Sequence, residues 1–238
     1  MARIVSTLFI SADGVAEIDP AWHFPYFDEN MGRAVSEDYD GADVLLLGRE
    51  TYDSFAGAWP DRETAGGEDA PFAKQIGDMR KVVASRTPRD FTWRNSEVIS
   101  GDLLEAAAAL RADPGVRGVL IPGSISVVQQ LLAAGLLDEL RLLVHPVAAR
   151  TGRRLFDEGD APYHLRVTAH PRDLRPRRST RRGGLRGRHP ARAGRGVTRT
   201  GAGCVAAVTR RVSAGRTRRR ADGRTVGVQS PTSHRSPP

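Results

Sequence analysis

Val44-Leu45-Leu46-Leu47 is a short, unbroken apolar run, and Gly48 stops it. A run this short and this continuous suits a strand buried on both faces. Residues 49–55 then read as a helix, so a strand end, a glycine and a helix start meet at one point. Such a junction gathers free backbone N–H groups at the positive end of the helix dipole. The Arg49 guanidinium and the Thr51 hydroxyl can complete a phosphate site there. An ordinary strand–turn–helix with Arg49 in solvent fits the same stretch, which alone does not decide between the two.

The same pattern recurs along the front of the chain. Residues 3–10 alternate and are rich in β-branched side chains, which predicts a first strand, and Ser11-Ala12-Asp13-Gly14 ends it with turn residues. A loop through Pro20, Trp22 and Pro25 leads to a helix over 28–39. Beyond the helix that starts at Arg49, residues 59–67 read as a polar loop and 71–78 as a short helix. Residues 81–84 and 97–99 read as strands, and Asp102 is placed to cap an alanine-rich helix that runs to about residue 111. A strand over 118–121, an apolar helix over 126–134 closed by Gly135, and strands over 140–147 and 163–168 complete the series. Strands alternating with helices predict an α/β domain with a largely parallel central sheet.

Charge divides the chain in two. Residues 170–238 hold 19 Arg, no Lys and two acids, Asp173 and Asp222, and so carry about +17, while residues 1–169 carry about −9. The basic stretch is rich in Gly, Pro, Ser and Thr and cannot bury enough apolar surface to offset its ordering entropy, which predicts disorder. Its Arg, Gly, Pro and Ala content without Lys also reads as an out-of-frame translation product of a GC-rich gene, a reading that resequencing tests. No apolar run reaches the roughly 18 residues of a membrane span, and the N-terminus lacks a signal-peptide pattern. The single Cys204 fits a reducing, cytoplasmic setting.

Three predicted strand ends share one design: Gly48-Arg49-Glu50-Thr51, Ser85-Arg86-Thr87, and Pro122-Gly123-Ser124-Ile125-Ser126. Ligands of open α/β sheets sit at the C-terminal ends of strands. Three polar turns on one edge point to an extended anion such as a phosphorylated dinucleotide, with three unrelated helix caps as the plain alternative. The negative charge of the front domain is no obstacle, since an anion needs only a local basic cluster, for which Arg49, Arg86 and Arg89 qualify.

The order Ser-x-Asp-Gly, Leu-Leu-Gly-Arg-x-Thr-Tyr, Val-x-Ser-x-Thr, Gly-Ser before an apolar helix, and Asp-Glu-Leu-Arg-Leu-x-Val-His-Pro resembles the dihydrofolate-reductase-like superfamily. Within it, the chain is most similar to the reductase domain of the riboflavin-biosynthesis deaminase–reductases and its stand-alone relatives. The resemblance covers residues 1–168. It implies a three-layer α/β/α reductase domain over 1–169, followed by the disordered tail over 170–238, and hydride transfer from NADPH to a small heterocyclic or ribosylamino-pyrimidine-like substrate. It implies that Gly48, Arg49 and Thr51 hold cofactor phosphate. Ser85, Arg86 and Thr87 would meet the 2′-phosphate, and Gly123, Ser124, Ile125 and Ser126 would offer N–H groups to the pyrophosphate. Ser11 and Gly14 would lie beside the nicotinamide with Trp22 flanking it. Where family members often carry a second Gly this chain has Pro122, which has no N–H to give. A homodimer is also implied.

Asp13 is the proton donor that the resemblance implies; as part of Asp-Gly it reads equally as a turn residue. Asp28, Glu29 and Asp53 are further acids that also suit solvated helix faces, His23 falls in the presumed active-site loop, and His145 suits a strand core. The histidines are scattered without ligand spacing, so no metal is expected. Two other classes stay open: a cofactor-binding relative that does not catalyse, and non-specific nucleic-acid binding by the Arg-rich tail through counterion release.

Overall fold

A computed structural model describes residues 1–87, 90–99, 101–156, 158, 162–169 and 204–209. In chain order the elements are β1 (Arg3–Ser11), α1 (Pro20–His23), a 3-10 turn (Phe24–Tyr26), α2 (Glu29–Asp40), β2 (Val44–Gly48), α3 (Arg49–Ala56), α4 (Trp59–Ala65) and α5 (Ala70–Asp78). β3 (Arg80–Ala84), β4 (Ser96–Val98), α6 (Leu103–Ala112), β5 (Gly118–Pro122), α7 (Ile125–Ala133), β6 (Glu139–His145), β7 (Arg166–Ala169) and β8 (Cys204–Thr209) follow. The strands form one sheet in the order β4-β3-β2-β5-β1-β6-β8-β7. All pairings from β4 to β6 are parallel, whereas β8 runs antiparallel to both β6 and β7.

The continuous apolar run of β2 has the cause expected of it. Leu45 and Leu47 face one layer with Tyr39, Tyr52, Ile76 and Trp93, while Val44 and Leu46 face the other with Leu103, Ile121, Val128 and Leu131. Successive strand residues point to opposite faces, so a strand covered on both sides needs no polar alternation. Each fully buried leucine contributes about 1.5–3 kcal/mol, and Leu45, Leu46 and Leu47 are all fully buried. The α/β fold with a mostly parallel central sheet is the one the sequence predicts.

Three local expectations need correction. Residues 59–67 contain the helix α4: Pro60 occupies its first turn, where a missing N–H costs nothing, and Gly66 ends it with φ +71. The loop through Pro20 and Pro25 is instead α1 and the 3-10 turn, with the Asp19 carboxylate accepting the N–H of Ala21 at 2.8 Å. Within the stretch expected to be disordered, residues 204–209 form β8 and pair with β6 from Leu140↔Val208 to Val144↔Cys204. The edge of β6 is therefore covered rather than open. The rest of the tail, residues 170–203 and 210–238, lies outside the described residues, as does Arg89. Among the described residues no helix is long and apolar enough to cross a membrane, and no three His, Cys, Asp or Glu side chains converge as a metal site.

Candidate functional site

The site begins as a split in the sheet. β2 follows β3 in register as far as Gly48↔Ala84, and β5 follows β1 as far as Thr7↔Pro122. Between β2 and β5 only Val44↔Val119 and Leu45↔Leu120 are paired, so the C-terminal halves of these strands part. The gap widens into an open cleft of about 1270 Å³ above the strand ends. One side chain ties its floor together. The Ser124 hydroxyl accepts the N–H of Gly48 at 2.8 Å and donates to Oγ1 of Thr51 at 2.9 Å. Gly123 turns the chain with φ +82, a backbone region that disfavours any side chain.

The three strand ends singled out in the sequence meet here. Gly48, Arg49 and Thr51 come from the end of β2, and Ser85, Arg86 and Thr87 from the end of β3. Gly123, Ser124, Ile125 and Ser126 come from the end of β5, and all ten residues line the one cleft.

Two features make this wall receptive to anions. Asp19, Asp28 and Asp102 cap α1, α2 and α6 through their side chains, while α4 and α5 start with a proline in the first turn. α3 and α7 have neither device, and both start at the cleft. Ser124 stands at the N-cap of α7, but its hydroxyl is engaged with Gly48 and Thr51. First-turn N–H groups without a cap leave the positive end of a helix dipole available to a ligand. The second feature is cationic. Arg3, Arg62, Arg94 and Arg117 each hold a carboxylate, whereas Arg49 and Arg86 have no carboxylate partner among the described residues.

Ser11, Asp13, Gly14 and Trp22 are not brought to the cleft. Asp13 is occupied elsewhere. It accepts the hydroxyl of Ser11 at 2.6 Å and the N–H groups of Ala149 and Arg150 at 2.9 Å each. These hydrogen bonds, Ser11 first, hold its carboxyl down at about 2. Asp13 thereby pins the loop after β6 to the turn after β1. Gly14 has φ +88 and gives its N–H to the carbonyl of Ser11, so that turn is structural as well. Trp22 is buried, with its ring edge against His145 at 5.1 Å between centroids.

Sequence reading missed part of the wall. Ser54 and Phe55 lie one helical turn beyond Thr51 and Gln130 one turn beyond Ser126, positions that a 3.6-residue period marks. Ala16, Glu17, Ile18 and Arg153 close the side next to β1, and no sequence pattern marks them.

His23 and His145, which are not among the residues lining the cleft, form a buried pair. The Leu143 carbonyl only accepts, so the 3.1 Å contact to Nδ1 of His145 assigns the proton to that nitrogen. Nε2 of His145 then accepts from Nδ1 of His23 at 3.1 Å. Phe9, Trp22 and Phe27 pack around the two rings. Burial, and then the neighbouring His145, push His23 down to about 4, and burial also lowers His145. Between pH 6.5 and about 4 the unfolded chain binds a proton at His23 that the folded chain refuses, so stability rises with pH across that window. Urea unfolding at pH 7 and at about pH 4.5 is expected to show a loss on acidification of up to about 3 kcal/mol from this group. The loss should be smaller in His23→Gln, which cannot titrate.

The family model described as RibD C-terminal domain matches residues 2–174. Among curated proteins, the chain is 28% identical over 159 residues to a Bacillus subtilis (strain 168) protein described as uncharacterized, YyaP, a match that covers 65% of this chain and 80% of that one. Among solved structures, a candidate riboflavin biosynthesis protein from Shewanella sp. PV-4 superposes with a TM-score of 0.58 at 17% identity, covering 89% of this chain and 99% of that one. A pyrimidine reductase-like protein from Corynebacterium diphtheriae gives 0.53 at 15% identity, covering 87% and 91%. At these identities the two structures speak for the fold.

Proposed function

Because this chain belongs to the RibD C-terminal domain family, we propose that it is an NADPH-dependent reductase acting on a small heterocyclic or ribosylamino-pyrimidine-like acceptor. The observation that carries the reading is the cleft itself. Two helix starts without side-chain caps, and two arginines with no carboxylate partner among the described residues, line the cleft where β2 and β5 part. This donor set suits a dinucleotide carrying several phosphates. Arg49 and the first-turn N–H groups of α7 would hold the pyrophosphate, and Ser85, Arg86 and Thr87 the 2′-phosphate that distinguishes NADPH from NADH. When bound, the nicotinamide supplies the hydride, and the protein's part is to bind, orient and exclude water. The acceptor class is the one implied by the family and the sequence resemblance.

The anchoring of Asp13 favours a second reading, a nucleotide-binding relative without turnover, because the carboxylate that the resemblance implied as proton donor is engaged by Ser11, Ala149 and Arg150. Titration of the full chain with NADPH and with NADH, followed by Trp fluorescence, tests the cofactor reading. Saturable binding with NADPH the tighter ligand is expected. A chain with a folded circular dichroism spectrum that binds neither overturns it. Binding without NADPH oxidation across a panel of pterins and amino-pyrimidines selects the second reading.

A further inference from the structure

β8 reaches its place in the sheet from far along the chain. It lies between β6 and β7 and runs antiparallel to both. Its register on β6 covers five positions, from Leu140↔Val208 to Val144↔Cys204. On the other side Arg166 stands opposite Thr209, Val167 opposite Val208 and Ala169 opposite Ala207. Antiparallel neighbours of this kind are ordinarily joined by about 2–5 residues. β7 and β8 are separated by residues 170–203, 34 positions with eleven arginines and one acid, Asp173.

That separation changes what holds β8. A tight turn delivers a strand to its neighbour, whereas after a long connection the strand is held by its own pairing. Closing a longer loop costs more entropy, and like charges along it resist drawing its ends together. The segment Cys204-Val205-Ala206-Ala207-Val208-Thr209 is uncharged and small at its centre. Such a strand is recognised chiefly through its main chain, as in other sites that add a strand to a sheet edge. The place it fills needs an occupant. Without β8 the edge of β6 would present unpaired N–H and C=O groups, next to the buried Leu140 and Leu143. Every copy of the chain carries the same slot and the same strand. An unconstrained span of 34 residues measures roughly 29–35 Å end to end, and a domain of this size has a radius of gyration of about 15 Å. The connection is therefore long enough for β8 of one copy to meet the slot of a neighbour.

We propose that the slot between β6 and β7 accepts β8 in trans, from a second copy of this chain, so that two copies join by exchanging strands. An exchanged element makes the same contacts in either copy, so the cost of exchange is low. The connection holds a chain's own β8 at an effective concentration on the order of a millimolar, and the exchanged form gains as the chain concentration approaches that level. No residue of β6, β7 or β8 lines the cleft, and the proposal is independent of the reductase reading.

The chain's single cysteine is the reporter. Val144→Cys puts a second cysteine opposite Cys204 in the register, and opposite positions on antiparallel strands stand close enough to be cross-linked. Heavy-isotope-labelled and unlabelled copies of the full-length variant are mixed, oxidised, digested with trypsin under denaturing conditions and analysed by mass spectrometry. The disulfide then joins the tryptic peptides 142–150 and 200–210. A mixed-isotope pair comes from β8 seated in a second copy. Mixed pairs are expected, with a share that rises between about 10 µM and about 1 mM chain. Random collision would join 200–210 to itself as readily, so those pairs should stay in the minority.

A fluorescein-labelled peptide of residues 200–210, followed by fluorescence polarisation, gives a second measurement. Ala207 is paired on both sides, opposite Arg141 and Ala169, and Ala207→Pro removes an N–H there and frees the slot. Full-length Ala207→Pro is expected to bind the peptide saturably. The native chain should bind it at least about tenfold more weakly, because its own β8 competes. A peptide carrying the same proline should bind neither. The proposal is overturned if the 142–150/200–210 pairs are same-isotope at every concentration or do not form, or if 200–210 pairs mainly with itself. It is equally overturned if Ala207→Pro keeps a folded circular dichroism spectrum and does not bind the peptide. Should that variant be unfolded, the isotope mixture decides alone.

Discussion

Alanine at Arg49 is expected to weaken NADPH binding about ten- to a hundredfold, the span of one charge-assisted hydrogen bond of roughly 1.5–3 kcal/mol. Arg49 is the first residue of α3, and no side chain caps that helix. Removing the guanidinium takes away a full charge beside a helix start that carries only partial charge. NADH should lose a similar factor, because the pyrophosphate is common to both nucleotides. Alanine at Arg86 should act differently. It stands at the end of β3, across the split from α7, and is assigned to the 2′-phosphate. NADPH should therefore fall toward the affinity of NADH, while NADH stays unchanged. Fluorescence titration of both variants with both nucleotides gives four ratios. If Arg49→Ala keeps its NADPH affinity within about twofold, the phosphates do not bind at this split.

Lys81→Met is expected to cost about 3 kcal/mol of stability, as buried carbonyls lose their donor. Lys81 lies in β3 and is fully buried. Its Nζ donates to the carbonyls of Ile76 and Gly77 at 2.9 Å each and of Met79 at 2.7 Å, and sits 4.3 Å from the centre of the Trp93 ring. Helix ends leave carbonyls without intrahelical partners, and α5 ends at an extended Met79 with no glycine turn to absorb them. The buried ammonium satisfies them, one N–H for each carbonyl, with the Asn95 amide a second and longer donor to Gly77 at 3.3 Å. Burial lowers Lys81 to about 8, still above neutrality, so the ammonium form predominates at pH 7. Methionine keeps most of the volume and none of the donors. A midpoint lower by roughly 10 °C is the thermal equivalent for a domain of this size. A loss below about 1 kcal/mol in urea unfolding would mean that these carbonyls find other donors.

Much of the site can be read from the chain because its parts are local. A Gly ends β2, Asp28 and Asp102 cap the helices that follow them, and the polar turns after three strands carry their own chemistry. The misreadings share a cause, which is distance along the chain. Asp13 looks like a free acid beside a presumed active site, but its partners are the N–H groups of Ala149 and Arg150, 136 and 137 positions away. β8 is a short apolar run between Gly203 and Arg210, hidden by the charge that surrounds it, and only its register on β6 gives it a place. The helix α4 was missed for a local reason, since Pro60 and Gly66 mark loops and helix ends alike.

The sequence by itself determined the α/β class, the two-sided burial of β2 and the three anion-friendly turns, because periodicity, capping and turn chemistry act over a few residues. Only the tertiary structure decided that these turns share one cleft. Their meeting depends on strand order and on β2 and β5 parting after two paired residues, a matter of packing between segments about 75 positions apart. It also decided which charges are free. Asp13 is engaged by a distant loop and Arg153 meets the exposed Glu50, whereas Arg49 and Arg86 have no carboxylate partner among the described residues. Whether a charge is neutralised or left open depends on its neighbours in space, and a linear pattern does not carry that information.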